Sequence, residues 1–488
     1  MWAWACTTPR EGSAQEDRTG REEASSDAAP RIRTHAELSR EIDFRRRDLE
    51  ELDVDIGDRR MTPAELDRRR ALTLEIRELE AERARLEQAE AVAANDDSAG
   101  ARWSRFRAAF RDITSWDLRD GIFRFRIGVR TQLDATYGVE ADAIENVRGS
   151  IDNGLRLRRA RVFAKGRLLR AMDFWVEFDV GEDAGLKHAY VDGARLNNWV
   201  SDHFRWRIGK FQEPFSIGRM TSSNYAGFLE RGLPADTFAP GRNVGFMLRH
   251  PENNDRLTWS ASLTTDGGST ADNPNNSELT LTGRVTGLPL LFDDGNGFVH
   301  VGLSVSNRRP TDDDIQYQAR PEARSAPVYA DTGRIASDRA RLLGVELAVV
   351  RGSYWLQSEW IRAAVDAPAA GDPQFTGGYL EVGRFLTGEQ RAYDRAEGTF
   401  DRATPNVVYR GGNPFRSNAR LGAVEVTARY STVDLTDASI SGGTMRDVTL
   451  GLNWYLNSES RMMLNYVHSR LHGAGDADIV LLRFQYNP

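Results

Sequence analysis

The chain has 488 residues, 28% of them charged, with a formal net charge of −7 and a mean hydropathy of −0.54. This length accommodates one large domain plus an appendage, and the acidic balance argues against a nucleic-acid partner. The sequence contains no run of about 18 apolar residues, which excludes a transmembrane helix. A transmembrane β-barrel is compatible with this composition, because its strands alternate apolar and polar residues.

The first thirty residues do not form a complete export signal. Residues 2–5 are apolar or aromatic, but the following stretch to residue 30 is polar. We interpret residues 1–30 as disordered or as the remainder of an export segment, either because the start codon is assigned too late or because a signal was removed. The single Cys6 excludes an internal disulfide, and the alternative that it is an acylated lipoprotein cysteine stays open.

Residues 31–92 have the pattern of paired helices. Apolar residues recur at helical spacing along two narrow stripes, which are Leu38, Ile42, Leu49, Leu52 and Ile56, and then Leu66, Ile76, Leu79 and Leu86. Between the stripes, Thr62-Pro63-Ala64-Glu65 has the pattern of a capping box with proline at the first helical position. Each stripe is too narrow to be buried alone, so we predict a helical hairpin or coiled coil that requires a partner chain.

A linker precedes the main domain. Residues 93–119 begin with a polar stretch and continue with Trp103, Phe106, Phe110, Ile113 and Trp116 at roughly helical spacing. This pattern predicts a short amphipathic helix, which could lie at a membrane interface or pack as an ordinary helix.

From about residue 120 the apolar residues recur with a period of two. Residues 123–137 alternate aromatic or aliphatic side chains with arginine and other polar side chains, and residues 448–456 do the same. The pattern predicts an all-β transmembrane barrel of about sixteen antiparallel strands. The alternative is a large soluble array of β-sandwiches. We place the strands near 121–137, 155–165, 171–181, 185–196, 203–211, 243–250, 257–266, 278–287, 298–307, 341–350, 353–364, 375–387, 419–431, 446–457, 460–470 and 477–487.

Three long segments interrupt the strands. Residues 308–339 and 389–416 are polar and are interpreted as long extracellular loops. Residues 212–242 differ, because they include Phe215, Phe228 and Phe238, and a segment this apolar is not disordered. We therefore expect residues 212–242 to fold inward and pack inside the barrel.

Residues 120 to the end resemble the phosphate-selective porin O/P family. Three separated stretches carry the resemblance, namely Leu157-Arg158-Arg159-Ala160, the block from Gly209 to Arg231, and the late block 422–431 with 449–457 and 465–467. The resemblance implies an outer-membrane homotrimer of sixteen-stranded barrels, with an arginine-lined route to a narrow anion site. Its partners would be phosphate or other small anions and the outer-membrane lipid.

The resemblance also implies the residues that bind the anion. The matching positions are Arg130, Arg158, Arg159, Arg219 and Arg231, with Ser222 and Ser223 as neighbouring hydroxyl donors. Arg219 stands where phosphate-selective members place a lysine. Guanidinium groups suit this task, because their paired N–H donors replace the water shell of a phosphate at fixed geometry.

The sequence does not favour an enzyme. We find no Gly-x-Ser-x-Gly, His-Glu-x-x-His or P-loop motif, and the seven histidines have no metal-ligand spacing. We therefore expect no cofactor and no metal. Two alternatives to a phosphate channel stay open, which are a general porin for small anions and a structural protein that tethers the envelope. In the second case residues 31–92 would contact peptidoglycan or a periplasmic partner and the barrel would be only an anchor.

Overall fold

The structure is a computed structural model with two compact units, Met1–Asp97 and Ser98–Pro488. It describes residues 115–118, 122–169, 171–193, 204–250, 256–265, 279–292, 297–310, 313–409 and 421–488, and single residues between 42 and 83. The predictions for residues 1–30 and for residues 93–114 lie outside the described residues. Among the described residues, no helix is long and apolar enough to cross a membrane.

The described residues of the first unit include two helical stretches that contact each other. Ile42 and Leu79 are buried together, and Arg46 Nη2 donates to Glu80 Oε1 at 2.6 Å. The capping box is present, since the Thr62 amide donates to the Glu65 carboxylate at 2.9 Å and the Glu65 amide donates to Thr62 Oγ1 at 3.4 Å. The coiled coil and its partner chain stay predictions.

The second unit is a closed barrel of sixteen antiparallel strands. Each strand pairs with the next, and the first pairs with the last, with Thr131 opposite Tyr486. The strands are β1 Phe123–Glu140, β2 Gly154–Leu168, β3 Met172–Asp179, β4 Gly185–Gly193, β5 Arg205–Gln212, β6 Arg242–His250, β7 Leu257–Thr265, β8 Leu279–Leu291, β9 Gly297–Arg308, β10 Arg339–Arg351, β11 Tyr354–Asp366, β12 Gln374–Phe385, β13 Ala423–Asp437, β14 Ile440–Tyr455, β15 Ser460–Leu471 and β16 Gly475–Tyr486. Every strand overlaps one of the predicted ranges, although several begin or end at other residues.

The alternation divides each strand between two environments. On β1, Gln132 and Asp134 are buried inside the barrel, whereas the intervening Leu133 is 45% exposed on the outer surface. The same division holds on β14, where Leu450 and Leu452 face outward and Asn453 is buried. An apolar outside and a polar inside are what a barrel in lipid requires.

A short strand, Ser115–Leu118, pairs antiparallel with the start of β1. Its Trp116 stacks on Phe125, with 4.7 Å between ring centroids. Trp116 therefore lies in a strand, and the predicted amphipathic helix does not extend to it. The helical spacing of the aromatic residues was misleading here, because pairing with the exposed edge of β1 satisfies the backbone of residues 115–118.

The strand order gives the barrel two different ends. The loop end carries the connections 141–153, 213–241 and 309–338, and the first of these contains helix α1 Asp142–Arg148. The turn end carries short turns such as 169–171 and 352–353.

The connection 386–422 also lies at the turn end, because three strands separate it from 309–338. The prediction that 308–339 and 389–416 are both extracellular loops is therefore wrong for one of them. Segment length suggested loops, but an odd number of intervening strands places them at opposite ends.

A glycine within β5 allows two strands to approach closely. Gly209 has φ +125°, and a Cβ at this position would lie 2.1 Å from the Ala189 carbonyl oxygen on β4. We expect Gly209→Ala to lower the free energy of unfolding by about 1–3 kcal/mol, because it combines backbone strain with this clash. The matched control is Gly283→Ala on β8, where the nearest atoms would lie 3.9 Å away. Equal melting temperatures for the two variants in detergent would contradict this prediction.

Candidate anion constriction

The inward loop, residues 213–241, fills part of the barrel interior as predicted. Phe215, Ile217 and Phe228 are almost completely buried. The Leu229 amide donates to Asn465 Oδ1 at 2.8 Å, and Ser216 Oγ donates to Glu359 at 2.6 Å, so the loop is fixed to β15 and β11. Two short helices, α2 Ile217–Met220 and α3 Leu233–Thr237, shape the loop, and Ser216 caps α2 by accepting from the Arg219 amide at 3.1 Å.

A β-bulge explains how Arg158 and Arg159 act on the same side of the barrel wall. In the pairing of β1 with β2, Gln132 lies opposite Arg159, but the next residue, Leu133, lies opposite Leu157. The register thus shifts by one residue and Arg158 has no partner on β1. Arg158 is therefore the extra residue of a bulge, which allows two consecutive side chains to point inward. Both side chains are buried, at 5% and 8% exposure.

Both arginines converge on Glu230 of the inward loop. Arg158 Nε donates to Glu230 at 3.0 Å, Arg483 Nη2 donates at 2.8 Å, and Arg159 Nη2 lies 3.7 Å away. Burial alone would raise the pKa of the Glu230 carboxyl, but the three guanidinium groups outweigh it and hold the pKa well below its usual range. The carboxylate anchors the loop to the wall, so much of the charge of Arg158 and Arg159 is compensated.

Arg219 and Arg231 lie on the loop itself. Arg219 is on α2, where its Nε donates to the Pro240 carbonyl at 3.2 Å and its Nη1 lies 3.6 Å from Asp236. Arg231 donates through Nε to the Gly218 carbonyl at 2.8 Å and through Nη2 to the Thr221 carbonyl at 3.2 Å. Arg231 thus satisfies carbonyl groups at the end of α2 and keeps a full positive charge beside them.

Two cavities meet at these residues. The outer cavity, about 300 Å³, includes Arg158, Arg159 and residues 320–324 of the loop end. The central cavity, about 330 Å³, includes Arg130 and Ser222. The residues that line both cavities, which we call the constriction, are Arg161, Arg219, Ser223, Arg231 and Arg242.

The constriction brings together three of the predicted residues and separates the other four. Arg219, Arg231 and Ser223 belong to it. Arg158 and Arg159 lie on its outer side, and Arg130 and Ser222 lie on its inner side. Arg130 is held over Trp175, 5.2 Å from the ring centroid, with Glu177 at 3.3 Å from its Nη1.

The sequence interpretation missed Arg161 and Arg242. Arg161 follows Arg159 by two positions, so strand alternation alone puts it on the inner face, and this signal could have identified it. Arg242 is the first residue of β6 and directly follows the loop; its Nε lies 3.1 Å from His188 Nε2. No alternation had begun at Arg242, so the sequence carried no comparable signal.

The charges in the constriction are unequally compensated. Arg161 donates to Glu177 at 3.0 Å and to Asp179 at 2.8 Å, both fully buried. Within the described part of the chain, Arg231 and Arg242 have no carboxylate within 4 Å. Burial is the main cause that lowers the pKa of Arg231 to about 10, and repulsion from Arg219 is the second. Arg231 therefore stays charged at neutral pH. A buried cation without a counterion is stabilised when an anion arrives, which makes the constriction a suitable anion site.

The route continues toward the turn end. The inner cavity, about 740 Å³, shares with the central cavity a set of mainly basic and aromatic residues, which are Lys165, Trp175, Tyr190, Arg207 and Glu397. Arg207 lies 4.2 Å from the Tyr190 ring centroid and donates to Asp192 at 2.8 Å. Basic side chains are therefore found at successive depths from the loop end to the turn end.

The turn-end segment, residues 386–409, also enters the lumen. The Phe400 amide donates to Thr221 Oγ1 at 3.3 Å, and Arg391 Nη2 donates to the Tyr225 carbonyl at 3.1 Å, so the segment touches the inward loop. Glu397 pairs with Arg249 of β6. The segment adds to the central cavity the carboxylates Asp394, Glu397 and Asp401.

Removing the turn-end segment should increase both conductance and anion selectivity. The Leu386 amide donates to the Val424 carbonyl at 2.7 Å, so a short turn can join β12 to β13 in place of residues 387–423. We expect larger single-channel conductance because the cavity widens. We also expect a stronger preference for anions, because the three carboxylates that the segment contributes line the central cavity, whereas its arginines Arg391, Arg395 and Arg402 do not. The triple variant Asp394→Asn, Glu397→Gln, Asp401→Asn separates the two effects, since it should change selectivity alone. Unchanged conductance after the deletion would contradict this placement of the segment.

The sequence is similar to known proteins. The sequence model of the family described as phosphate-selective porin O and P matches residues 125–487. A protein of Caulobacter vibrioides described as uncharacterized is 26% identical in an alignment over 354 residues that covers 67% of this chain and 66% of that protein. The chain thus spans about two thirds of the length of this relative.

Solved porin structures have weaker similarity. An anion-selective porin from Comamonas acidovorans is 12% identical, with a TM-score of 0.42 over 74% of this chain and 99% of that one. OprB of Pseudomonas putida is 8% identical, with a TM-score of 0.46 over 79% of this chain and 96% of that one. The family match covers the whole barrel from β1 to β16. The chain therefore belongs to the phosphate-selective porin O and P family, and is a non-enzymatic outer-membrane β-barrel porin of the Gram-negative type.

Proposed function

We propose that this porin is an anion-selective diffusion channel that prefers phosphate. The observation that carries the proposal is the constriction, where four arginines and Ser223 line the junction of two cavities and no carboxylate is shared by both. Two of these arginines, Arg231 and Arg242, have no carboxylate partner within the described residues. Fixed positive charge at a narrow point favours anions over cations.

The preference for phosphate over chloride follows from donor geometry. A guanidinium group presents several N–H donors in a plane, which match two phosphate oxygens at once, whereas chloride offers only one acceptor atom. The Ser222 hydroxyl accepts from the Asn224 amide at 3.3 Å, so its own proton can still be donated to an anion. Basic residues on both sides of the constriction provide further contacts, so that a bound anion can leave.

Two features of the assembly belong to the same proposal. We propose a homotrimer, as the family resemblance implies, and contact of residues 31–92 with peptidoglycan or a periplasmic partner. The capping box at Thr62 and the Ile42–Leu79 contact support a folded helical pair in this region. The molar mass of the full-length porin in detergent, measured by light scattering, tests the trimer, and a monomeric mass would refute it.

Reversal potential measurements test the channel proposal. Purified protein is inserted into a planar bilayer under a potassium chloride gradient. We expect the reversal potential to have the sign of the chloride equilibrium potential, and we expect added phosphate to reduce the current. Anion current without block by phosphate would replace the proposal with a general porin for small anions. Cation selectivity, or no current, would overturn it.

A further inference from the structure

The outer surface of the barrel has a groove that the channel does not use. It is about 650 Å³ in volume and lies across β10 to β13 on the side that faces lipid. Its floor is apolar and is formed by Val349, Leu356, Val382, Val426 and Ala428. The small Ala428 stands directly opposite Val382 on the neighbouring strand, which leaves room between the longer side chains.

Two arginines flank one end of the groove at the same level. The strand register places Arg351 opposite Tyr354, and Tyr354 opposite Arg384, so the three residues form one row across adjacent strands. All three side chains are exposed. The Arg384 guanidinium lies 4.8 Å from the Tyr354 ring centroid, and that of Arg351 lies 5.2 Å from the Phe292 centroid. The aromatic rings restrict both guanidinium groups without neutralising their charge.

Within the described residues Arg351 and Arg384 have no carboxylate partner, whereas two other arginines of the outer surface have one. Arg341 lies on the same strand and the same face as Arg351, at the opposite end, and its Nη2 pairs with Asp366 at 2.7 Å. Arg470 similarly pairs with Asp476 at 2.6 Å. The row of Arg351 and Arg384 therefore carries two uncompensated charges beside an apolar groove.

The depth of this row in the membrane indicates which group lies beside the two arginine charges. The row borders the turn 352–353, and short turns of outer-membrane barrels are periplasmic. An aromatic residue at this level, here Tyr354, is typical of the girdle where the hydrocarbon region meets the headgroups. The row therefore lies at the headgroups of the inner leaflet, where lipid phosphates are found.

We propose that this groove binds a phospholipid of the inner leaflet that carries an anionic headgroup. Its phosphate lies between Arg351 and Arg384, and one acyl chain lies along Val349, Val382 and Ala428. The arginine fork suits phosphate, and two adjacent arginines favour a headgroup with a net negative charge over a zwitterionic one. A second copy of the chain is a poorer occupant, because an apolar contact between copies would bury two arginines without partners.

Native mass spectrometry of the detergent-solubilised full chain tests this inference. Phosphatidylglycerol is added at increasing concentration and compared with phosphatidylcholine. We expect phosphatidylglycerol to bind at least about tenfold more tightly, and the variant Arg351→Gln, Arg384→Gln to lose this preference. Ala428→Trp should also reduce binding, since it fills the groove while both arginines remain. Arg341→Gln is the matched control and should bind as the unaltered protein does.

Three results would overturn the inference. They are equal retention of the two lipids, unchanged phosphatidylglycerol binding by the double arginine variant, and a change in oligomeric state caused by Ala428→Trp. The last result would assign the groove to contact between copies. Each variant is first checked for the heat-dependent gel shift of a folded barrel, so that loss of binding is not confused with loss of folding.

Discussion

Replacing Arg219 with alanine should weaken the block by phosphate. The phosphate concentration at which the chloride current falls to half should rise about tenfold to a hundredfold. A hydrogen bond to a charged group contributes about 1.5–3 kcal/mol, and each 1.4 kcal/mol is about a factor of ten in affinity. Arg219 is a suitable probe because its salt-bridge partner, Asp236, is 53% exposed, so the Asp236 carboxylate stays in contact with water when Arg219 is removed. The substitution therefore removes an anion contact without leaving a buried charge unpaired.

Two further variants separate charge from geometry at this position. Arg219→Lys keeps the charge but loses the planar fork, so its block by phosphate should be intermediate between those of the unaltered protein and Arg219→Ala. Arg470→Ala removes an exposed arginine outside the cavities and should leave the block unchanged. Block that is equally strong in Arg219→Ala and in the unaltered protein would exclude Arg219 from the anion site.

Replacing Glu230 with glutamine should lower the free energy of unfolding by about 3–5 kcal/mol, because buried charges then lose their partner. Glu230 lies within 4 Å of Arg158, Arg159 and Arg483, and Arg483 is fully buried. Arg158 retains Asp183 at 2.7 Å and Arg483 retains Asp134 at 2.7 Å, so Arg159 loses the most. Urea titration in detergent micelles measures the change.

The Glu230 stabilisation has a defined dependence on pH. Because the folded-state pKa of Glu230 is held below that of a free glutamate, the stabilisation is complete above about pH 5 and is lost only as the pH falls further. The matched control is Asp476→Asn, which breaks an exposed pair with Arg470 and should cost less than about 1 kcal/mol. Similar losses in the two variants at neutral pH would contradict the anchoring role of Glu230.

The barrel was predictable from sequence because its requirement is local. A strand between lipid and water needs an apolar residue at every second position, so residues 123–137 and 448–456 reveal their strands without knowledge of the fold. The inward loop was predictable for a related reason, since its buried phenylalanines are too apolar for a solvated loop. Register and bulges are not local, so only the structure shows that a bulge at Arg158 turns both neighbouring arginines inward.

The site was less predictable than the fold. Arg242 enters the constriction because the chain returns from the loop to pair with β5, which brings Arg242 to His188 of β4. No spacing in the sequence expresses this long-range arrangement. Glu230 was missed as the partner of Arg158 because 72 residues separate them. The end of the barrel at which residues 386–409 lie follows from the odd number of predicted strands that separates them from residues 309–338.

The most direct test of the account is to locate a bound anion. Crystals of the porin soaked in arsenate, a phosphate analogue with an anomalous signal, should give a peak within hydrogen-bonding distance of the Arg219 and Arg242 guanidinium groups. A peak there, reduced in Arg219→Ala crystals, is the result that the account predicts. Peaks confined to the outer or inner cavity, or an empty constriction at saturating arsenate, would contradict the claim that these arginines form the anion site.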